Sequence, residues 1–428
     1  MEIPSLFQKL SNRCFRWFSD SAGLEMTNSV EHVKFGRVGS DGIRTNAIPK
    51  QILEIIDRIM RDEDDLESKL DAMNASLSVA SITAIFRVLN WKRVSALRFF
   101  AWIRGSQPNL YGNSDVCSLV IDNCGRLDDY KGMLCLLNDF RMKGICLTKK
   151  AFKFLPVLIL NKDSVMRSVR RVVEVLNEVG GSCRTSGVHS LIEMFSDLGS
   201  FEMAEFVMLI TERKASYYNI LIREKCRRCD FEGAREMIHT MRQVGCDPTV
   251  NTYNYLLSSL VKNDKMAEAC LVLEEMQDSD CLPDPLTFEI FIYYWCRLGN
   301  FDYASEFLDK MISNGLEPRP TTHAAFIKGY FDLMRYEEAC KYVVDSSVKH
   351  RCSGNSIYSL LASLQQKKGK VVLARDILLE MLKKGLRPNF AVYMRVLKHL
   401  QKSGREDMAR DLKSKFSSLS LPSRTETE

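Results

Sequence analysis

The sequence predicts an all-α fold, a right-handed α-solenoid of stacked helix-turn-helix repeats of about 35 residues each. Alanines recur every 35 positions, an aromatic residue or histidine lies 16 positions before each of them, and glycine and proline return at fixed places between. The alanines in strict register are Ala234, Ala269, Ala304, Ala339, Ala374 and Ala409, with Ala204 preceding them by 30 positions. A fixed period of this length indicates units that bury their apolar faces only against neighbouring units.

Each unit is predicted to hold two helices around a small apolar core. The residues expected in that core are Tyr218, Tyr253, Phe288, His323, Tyr358 and Tyr393, 16 positions before the alanine, and Met241, Met276, Met311 and Met381, seven after it. Glycines at two further positions are expected to end the first and the second helix in left-handed conformations. These glycines are Gly199, Gly299, Gly369 and Gly404, five positions before the alanine, and Gly245, Gly315 and Gly385, which precede a proline by three positions.

The period predicts the organisation of the whole chain. Two short helices are expected within 49–76, the repeat array over 77–412 and a flexible tail over 413–428. The regular units are 215–249, 250–284, 285–319, 320–354 and 355–389, followed by a partial unit, 390–412. The earlier units, 77–113, 114–148 and 149–184, are degenerate copies, and 185–214 is a shortened unit.

Residues 1–22 are predicted to be a mitochondrial transit peptide, which places the protein in the matrix. Apolar residues recur there at helical spacing, while Lys9, Arg13 and Arg16 lie on the other side of the helix. Two alternatives stay open: a chloroplast address, and an amphipathic helix that docks on the core. Residues 23–48 mix Gly, Ser, Asn and Thr with charges, which is typical of a linker.

Composition restricts the class of protein further. The chain has 428 residues, 27% of them charged, and a net charge of +6, which excludes a strongly basic tail but permits a local positive surface. Its 14 cysteines are scattered through apolar windows, as expected in a reducing compartment. The most apolar segment, 154–160, is too short to span a bilayer, so no membrane span is predicted.

Segments within the unit 250–284 identify the family that the repeats resemble. Thr252-Tyr253-Asn254-Tyr255-Leu256-Leu257, Met266-Ala267-Glu268-Ala269 and the closing Pro283-Asp284 closely resemble the pentatricopeptide repeat of plant organelle proteins. The tetratricopeptide repeat fits less well, since its Leu-Gly pair is absent from the first helix. Uniform units of 35 without a recognisable C-terminal extension resemble the pure, P-type subclass.

The resemblance implies that the partner is single-stranded RNA, with one base read by the fifth and the last residue of each unit. We call these two residues the reading pair. The pairs Asn254 with Asp284 and Ser359 with Asn389 match the uracil-preferring and adenine-preferring pairs of the family, and Asn219 with Thr249 leans to pyrimidine. The pairs that depart from the pattern are Glu289 with Arg319, Ala324 with Gly354, and Ser118 with Thr148. The implied target core is U-N-N-A.

A second feature is independent of the reading pairs. Basic residues recur at one position near the end of the first helix, and we call this set the cationic stripe. Its members are Arg126, Arg227, Lys262, Arg297, Lys367 and Lys402, and Asp197 and Asp332 interrupt it. A cation in every repeat suits the phosphates of an extended strand. The alternative explanation is the general preference of Lys and Arg for helix C-termini.

The sequence favours a binding protein without cofactor over an enzyme. The single CxxC motif, Cys226 to Cys229, has no second CxxC and no HxE partner of the deaminase kind, and no Gly-rich phosphate loop is present. Three functions remain open: an RNA-binding adaptor in mitochondrial RNA processing, splicing, stability or translation; a structural component of the mitochondrial ribosome or another ribonucleoprotein; and a protein-binding scaffold.

Overall fold

The computed structural model describes residues 50–62, 64–73, 77–155, 162–279, 281–349 and 353–419. They divide into two compact units. The N-terminal unit contains the described residues of 50–260 and 267–275, and the C-terminal unit contains those of 261–266 and 276–419. The segments predicted to be a transit peptide and a linker lie outside the described residues.

The described residues form 22 α-helices and no β-strand, so the all-α prediction is confirmed. The N-terminal unit contains α1 (Lys50–Met60), α2 (Leu66–Ala72), α3 (Val79–Lys92), α4 (Leu97–Ser106), α5 (Pro108–Tyr111), α6 (Ser114–Arg126), α7 (Tyr130–Met142), α8 (Lys162–Val179), α9 (Gly181–Asp197), α10 (Phe201–Ile210), α11 (Ala215–Arg227) and α12 (Phe231–Gln243). Two helices contribute residues to both units, α13 (Val250–Lys262) and α14 (Met266–Asp278). The C-terminal unit adds α15 (Pro285–Leu298), α16 (Phe301–Ser313), α17 (Pro320–Asp332), α18 (Tyr336–Lys349), α19 (Gly354–Lys367), α20 (Val371–Lys383), α21 (Phe390–Lys402) and α22 (Glu406–Leu419).

Within each unit, helices pack on their neighbours in sequence. In the C-terminal unit the first helices α15, α17, α19 and α21 contact one another in that order, and each also packs on the helix that follows it. In the N-terminal unit α9 and α11 pack in the same way, with α10 and α12 as their partners. This is the packing of stacked helix-turn-helix repeats, in which each hairpin is covered by the next one.

The repeated apolar marks form the core, as predicted. All seven alanines are buried, the six residues 16 positions before the regular alanines are at most 4% exposed, and the four methionines are fully buried. Alanine leaves room for a close approach of two helices, while the aromatic rings fill the space between hairpins. The periodic residues therefore contribute to packing and are not available to a ligand.

The turns between helices use left-handed backbone at the predicted glycines. These seven residues have φ between +71° and +79°. In units without a glycine at the first of these places, Asp128, Cys229, Asp264 and Met334 take φ between +54° and +60°. The left-handed turn is thus present even in units where a side chain disfavours that backbone conformation.

The structure differs from the prediction at the unit 149–184. The first helix expected there is replaced, within the described residues, by a 3₁₀ turn over Lys149–Phe152. Pro156 follows in the sequence and disfavours helical backbone in the residue before it. The ring of Phe154 packs directly on Gly125, where a Cβ atom would lie 2.2 Å from the ring. This turn takes the place of a helix between α6 and α9.

A second difference concerns the predicted tail over 413–428. Helix α22 continues to Leu419, because Leu412 is buried and the ring of Phe416 stacks on Tyr393 with centroids 4.0 Å apart. The last apolar face of the array is covered in this way. Within the described part of the chain, no helix combines the length and the apolar character that a bilayer span requires.

Candidate nucleic-acid interface

Asp284, Arg319 and Asn389, the last residues of their units, stand at the N-cap of the next first helix. Asn389 shows how this position orients a side chain. Asn389 Oδ1 accepts hydrogen bonds from the backbone N–H groups of Ala391 and Val392, at 3.0 and 3.3 Å. The cap therefore fixes the orientation of the amide, and its Nδ2 donor faces away from α21. The side chain is exposed.

Ser359, the fifth residue of the same unit, lies directly beside this cap. Its hydroxyl oxygen accepts a hydrogen bond of 3.0 Å from the backbone N–H of Asn389, and Met381 Sδ lies 3.9 Å from it. A thioether sulfur is a weak acceptor, so the hydroxyl proton keeps most of its capacity to donate. The pair Ser359 and Asn389 thus offers two donors, the hydroxyl and Nδ2.

A groove of 460 Å³ opens above this pair, and we call it the Ser359 groove. It is lined by Asn355, Ser356, Ser359, Leu360, Ser363, Arg387, Asn389, Val392 and Arg395. The lining contains small polar side chains and two arginines but no acidic residue. A concave site with a few fixed donors and no negative charge suits an anionic ligand with hydrogen-bonding edges.

The pair Ser118 and Thr148 repeats the same local geometry in the N-terminal unit. The Ser118 hydroxyl accepts a hydrogen bond of 2.9 Å from the backbone N–H of Thr148. Here, however, Ser118 is fully buried, and the Thr148 hydroxyl donates to Asp115 at 3.1 Å. Lys150 forms an ion pair of 2.8 Å with Asp115. The polar groups of this pair are consumed within the protein.

Asn219 and Thr249 are linked through a third residue. Thr252 donates its hydroxyl to Asn219 Oδ1 at 2.6 Å and lies 3.0 Å from the Thr249 hydroxyl. As in Asn389, the amide oxygen is engaged, so the Asn219 amide is oriented by the protein.

Glu289 and Arg319 form a bidentate ion pair. Arg319 Nε lies 3.2 Å from Glu289 Oε1, and Nη2 donates to Oε2. The hydroxyls of Thr321 and Thr322 both donate to Glu289 Oε1 at 2.6 Å. The hydrogen bonds between Arg319 and Glu289 raise the pKa of Arg319 above its ordinary value. Both members of this reading pair are therefore occupied by each other.

The remaining reading pairs are described within their own units. Asn254 is buried in the N-terminal unit, and Asp284 begins α15 in the C-terminal unit. Asp284 Oδ1 accepts from the Thr287 backbone N–H at 2.8 Å, which is the cap seen at Asn389. In the pair Ala324 and Gly354 neither residue has a polar side chain.

Three arginines of the cationic stripe are neutralised within their own hairpins or by a neighbouring one. Arg126 pairs with Asp122 at 3.0 Å, and Arg297 pairs with Asp264 at 2.9 Å. Arg227 binds Glu224 with two hydrogen bonds, of 2.7 and 2.8 Å. These pairs reduce the positive potential of the stripe.

The three lysines of the stripe, Lys262, Lys367 and Lys402, are exposed. For Lys367 and Lys402, no ion pair occurs among the residues that the structure describes. Asp197, which interrupts the stripe, pairs with Lys149 at 2.6 Å. The stripe therefore carries its exposed charge mainly on lysines.

Two sets of residues at the interface were not singled out by the sequence. The first is a threonine at the third position of three successive units, Thr252, Thr287 and Thr322, which binds a reading residue in each case. Its recurrence every 35 positions was the available signal. The second set, Arg387 and Arg395, has no counterpart in the other regular units and becomes visible only through the groove that it lines.

The CxxC motif has the environment of structural cysteines. Cys226 is buried in α11, which raises the pKa of its thiol to about 12 and disfavours the thiolate that a metal requires. Cys229 is exposed in the left-handed turn that follows. Among the described residues, no three His, Cys, Asp or Glu side chains are grouped as metal ligands.

Comparison with known protein families gives matches to PPR repeats. Residues 213–262 and 248–293 match the model of the PPR repeat family, and residues 287–316 match the model of the PPR repeat. A pentatricopeptide repeat-containing protein of Arabidopsis thaliana is 31% identical over 127 residues, which is 28% of this chain and 28% of that protein. A mitochondrial one is 28% identical over 125 residues, which is 29% of this chain and 12% of the relative.

Other relatives extend this comparison. The small ribosomal subunit protein mL103 of Arabidopsis thaliana is 25% identical over 144 residues, which is 31% of this chain and 35% of that protein. A chloroplastic pentatricopeptide repeat-containing protein from the same plant is 23% identical over 120 residues, 28% of this chain and 25% of the relative. The matched regions span between 12% and 42% of the lengths of the first curated relatives.

Among solved structures, the maize pentatricopeptide repeat protein PPR10 aligns over 88% of this chain and 60% of its own, with 18% identity and a TM-score of 0.42. Its complex with an 18-nucleotide psaJ RNA element aligns over 87% of this chain and 54% of its own, with 19% identity and a TM-score of 0.44. The family-model matches coincide with α11 to α16, the regular helix pairs of the period. Residues 213–316 of this chain are thus similar to pentatricopeptide repeats.

Proposed function

We propose that the chain binds single-stranded RNA and acts by binding alone, as a P-type adaptor in mitochondrial RNA metabolism. The observation that carries the proposal is the reading pair Ser359 and Asn389 at the floor of an open groove without acidic residues. Single-stranded bases can be splayed out and read on their Watson–Crick edges, which duplex RNA conceals.

The groove has the chemistry to favour adenine over uracil. The cap of α21 holds Asn389 Oδ1, so Nδ2 is the group that remains for a base. A donor suits the N1 acceptor of adenine and not the N3–H of uracil. Asp284 forms the same cap with a carboxylate instead of an amide, and a carboxylate is the acceptor type that suits the N3–H of uracil. The physical basis for U-N-N-A is thus the chemistry of the capping residue.

A bound strand would be shielded along the groove. A covered strand is protected from exonucleases and cannot form competing base pairs. Binding can therefore influence transcript stability, end processing, splicing or translation, although the protein makes and breaks no covalent bond. The amphipathic basic segment 1–22 and the mitochondrial names among the relatives support the matrix as the location. The chloroplastic relative supports the alternative address.

The test is equilibrium binding of labelled 12-nucleotide strands to the purified full chain, followed by fluorescence anisotropy. A strand with U-N-N-A should bind more tightly than its scrambled version, by about 1–3 kcal/mol for each base read. Asn254→Ala should remove the preference for U and keep the preference for A. Equal affinity for all strands would contradict base reading, and no binding at moderate salt would contradict an RNA-binding function.

A second candidate is a structural role in the mitochondrial ribosome or another ribonucleoprotein. The similarity to the ribosomal protein mL103 favours it, and so does the neutralisation of Arg126, Arg227 and Arg297 by carboxylates. Sedimentation of organelle extracts separates the two candidates. Stoichiometric migration with a ribosomal subunit supports this role, whereas migration as a light particle supports the adaptor.

A further inference from the structure

The two arginines of the Ser359 groove differ from the other arginines at this interface. Arg387 and Arg395 are exposed, and among the residues that the structure describes neither forms an ion pair. Arg126, Arg227, Arg297 and Arg319 are all paired with carboxylates. Within the described structure, no carboxylate therefore balances the positive charge of the groove, whereas carboxylates balance the other four arginines.

Arg387 is anchored through its backbone and not through its guanidinium. Its N–H donates to Asn355 Oδ1 at 3.0 Å, which fixes the turn before α21 and brings the side chain to the groove. Arg395 lies one and a half turns into α21, where Nη2 donates to the Ser363 hydroxyl at 3.4 Å. The other N–H groups of both guanidinium planes have no partner within the described chain.

Two guanidinium groups beside a base-reading pair suit a phosphate. A guanidinium binds phosphate oxygens with two parallel N–H groups, and it is less strongly hydrated than an ammonium group. Ser359 is 5% exposed and still lines the groove, so a base that reaches it must enter deeply and leave its phosphate at the rim.

On the basis of the proposed function, we propose that Arg387 and Arg395 clamp a backbone phosphate next to the adenosine read by Ser359 and Asn389. This clamp is distinct from the cationic stripe: Arg387 lies in the unit 355–389 and Arg395 in the partial unit 390–412, and the equivalent positions of the other regular units carry no arginine. It makes the 3′ part of the U-N-N-A core the electrostatic anchor of the strand.

The test combines a protein variant with a chemically neutralised phosphate. The full chain and the double variant Arg387→Gln/Arg395→Gln are titrated with labelled strands in which one linkage flanking the A is a neutral methylphosphonate. The wild type should lose affinity when this linkage is neutral, and the double variant should bind both strands equally. The slope of log affinity against log salt should fall by about 0.7 for each phosphate released. Equal losses in both proteins, or an unchanged slope in the variant, would overturn the clamp.

Matched variants separate the clamp from a general loss of charge or of fold. Arg410→Gln, on α22 and 76% exposed, removes a cation of the partial unit 390–412 that lies outside the groove and pairs with Asp407, and it should leave the methylphosphonate effect intact. Arg387→Lys/Arg395→Lys keeps the charge and should keep most of the slope while weakening affinity. The preference for A should survive in Arg387→Gln/Arg395→Gln, which distinguishes failure of the clamp from failure of base reading. Displacement of the strand by inorganic phosphate or adenosine monophosphate at millimolar concentration would assign the groove to a free anion and overturn the proposal.

Discussion

Glu289 and Arg319 occupy the fifth and the last position of one unit, and they bind each other through two parallel hydrogen bonds. Glu289 is only 13% exposed and accepts two further hydroxyl hydrogen bonds, from Thr321 and Thr322. Four hydrogen bonds thus engage the Glu289 carboxylate, two from Arg319 and two from the threonines. The ion pair therefore withdraws the fifth residue of the unit 285–319 from a base and holds the Arg319 guanidinium against the protein.

From this ion pair we predict that the first N of U-N-N-A is read without preference. The variant Glu289→Asn/Arg319→Asp replaces the ion pair with the residues of the Asn254 and Asp284 pair, and it should gain a preference for uracil of about 1–3 kcal/mol. The measurement is anisotropy with four strands that differ only in this base. The single variant Glu289→Gln is the control: it releases the Arg319 guanidinium and should steepen the salt dependence without adding base preference. Discrimination among the four bases by the wild type would contradict the prediction.

A second prediction concerns the donor that Asn389 offers. Asn389→Asp keeps the N-cap of α21, since Asp caps as well as Asn, but it replaces Nδ2 with an acceptor oxygen. We expect the preference at this position to change from A to a base with a ring N–H at its Watson–Crick edge, uracil or guanine, with thermal stability unchanged. Asn355→Asp adds the same charge to the same groove and should weaken binding of all strands equally. A preference for A that persists in Asn389→Asp would show that the side chain does not read the base.

A third prediction concerns the left-handed turns. Met334 has φ of +60° and is 69% exposed, so glycine there should relieve strain at little loss of burial. We expect Met334→Gly to stabilise the chain by up to about 1 kcal/mol, because left-handed backbone costs a side chain about 1–2 kcal/mol. Gly369→Ala, at φ of +78° in the equivalent turn, should destabilise it by about 1 kcal/mol.

Urea unfolding followed by circular dichroism measures both changes. Met142→Gly is the matched control, because Met142 is also highly exposed but ends α7 in helical conformation. Glycine should destabilise the chain there by about 1 kcal/mol. The same sign for Met334→Gly and Met142→Gly would refute the explanation by left-handed strain.

A fourth prediction concerns the pH dependence of stability. Burial raises the pKa of Asp122 to about 6, since the hydrogen bonds from Arg126 and Asn90 reach only Oδ2 and Oδ1 has no partner in the described structure. The unfolded state loses this proton near pH 4 and the folded state near pH 6. The contribution of Asp122 is therefore full below pH 4 and lost as pH rises through about 6, by about 2–3 kcal/mol.

The measured quantity is the difference in free energy of unfolding between the wild type and Asp122→Asn. Relative to Asp122→Asn, the wild type should lose stability as the pH rises from 4 to 7. The other carboxylates contribute equally to both proteins. Glu212→Gln provides the comparison: the hydrogen bond from Lys214 lowers the pKa of Glu212, so that difference should change with pH in the opposite direction. A pH-independent difference for Asp122→Asn would contradict the prediction.

The periodic residues predicted the fold because they report packing, which recurs in every unit. Ala304, Phe288 and Met311 are buried in their unit, and the residues 35 positions away are buried in the neighbouring units. One register therefore locates all of them. The 3₁₀ turn at Lys149 could not be read from the period, since the register there predicts a helix and only Pro156 opposes it. Likewise, Met334 gives no local sign of left-handed backbone, because the conformation is imposed by the turn.

The candidate RNA-binding residues were harder to predict, because the charge that each one presents depends on whether it forms an ion pair within the protein. The partners of Arg126 and Arg227 are three or four residues away on the same helix, so their ion pairs were visible in the sequence. Arg297 and Arg319 find partners 33 and 30 residues away, in the neighbouring hairpin or the opposite end of the unit. Register alone does not state whether such charges face each other or a ligand.

Where the last residue of a unit caps the next helix, as Asp284 and Asn389 do, this role limits how base preference can diverge among such repeats. A residue that both begins a helix and faces a nucleotide must come from the few side chains that accept backbone N–H groups, chiefly Asn, Asp, Ser and Thr. The requirements of helix capping therefore restrict which side chains are available to recognise a base. Arg319 lies outside that set: it stands at the N-cap of α17, and its guanidinium binds Glu289.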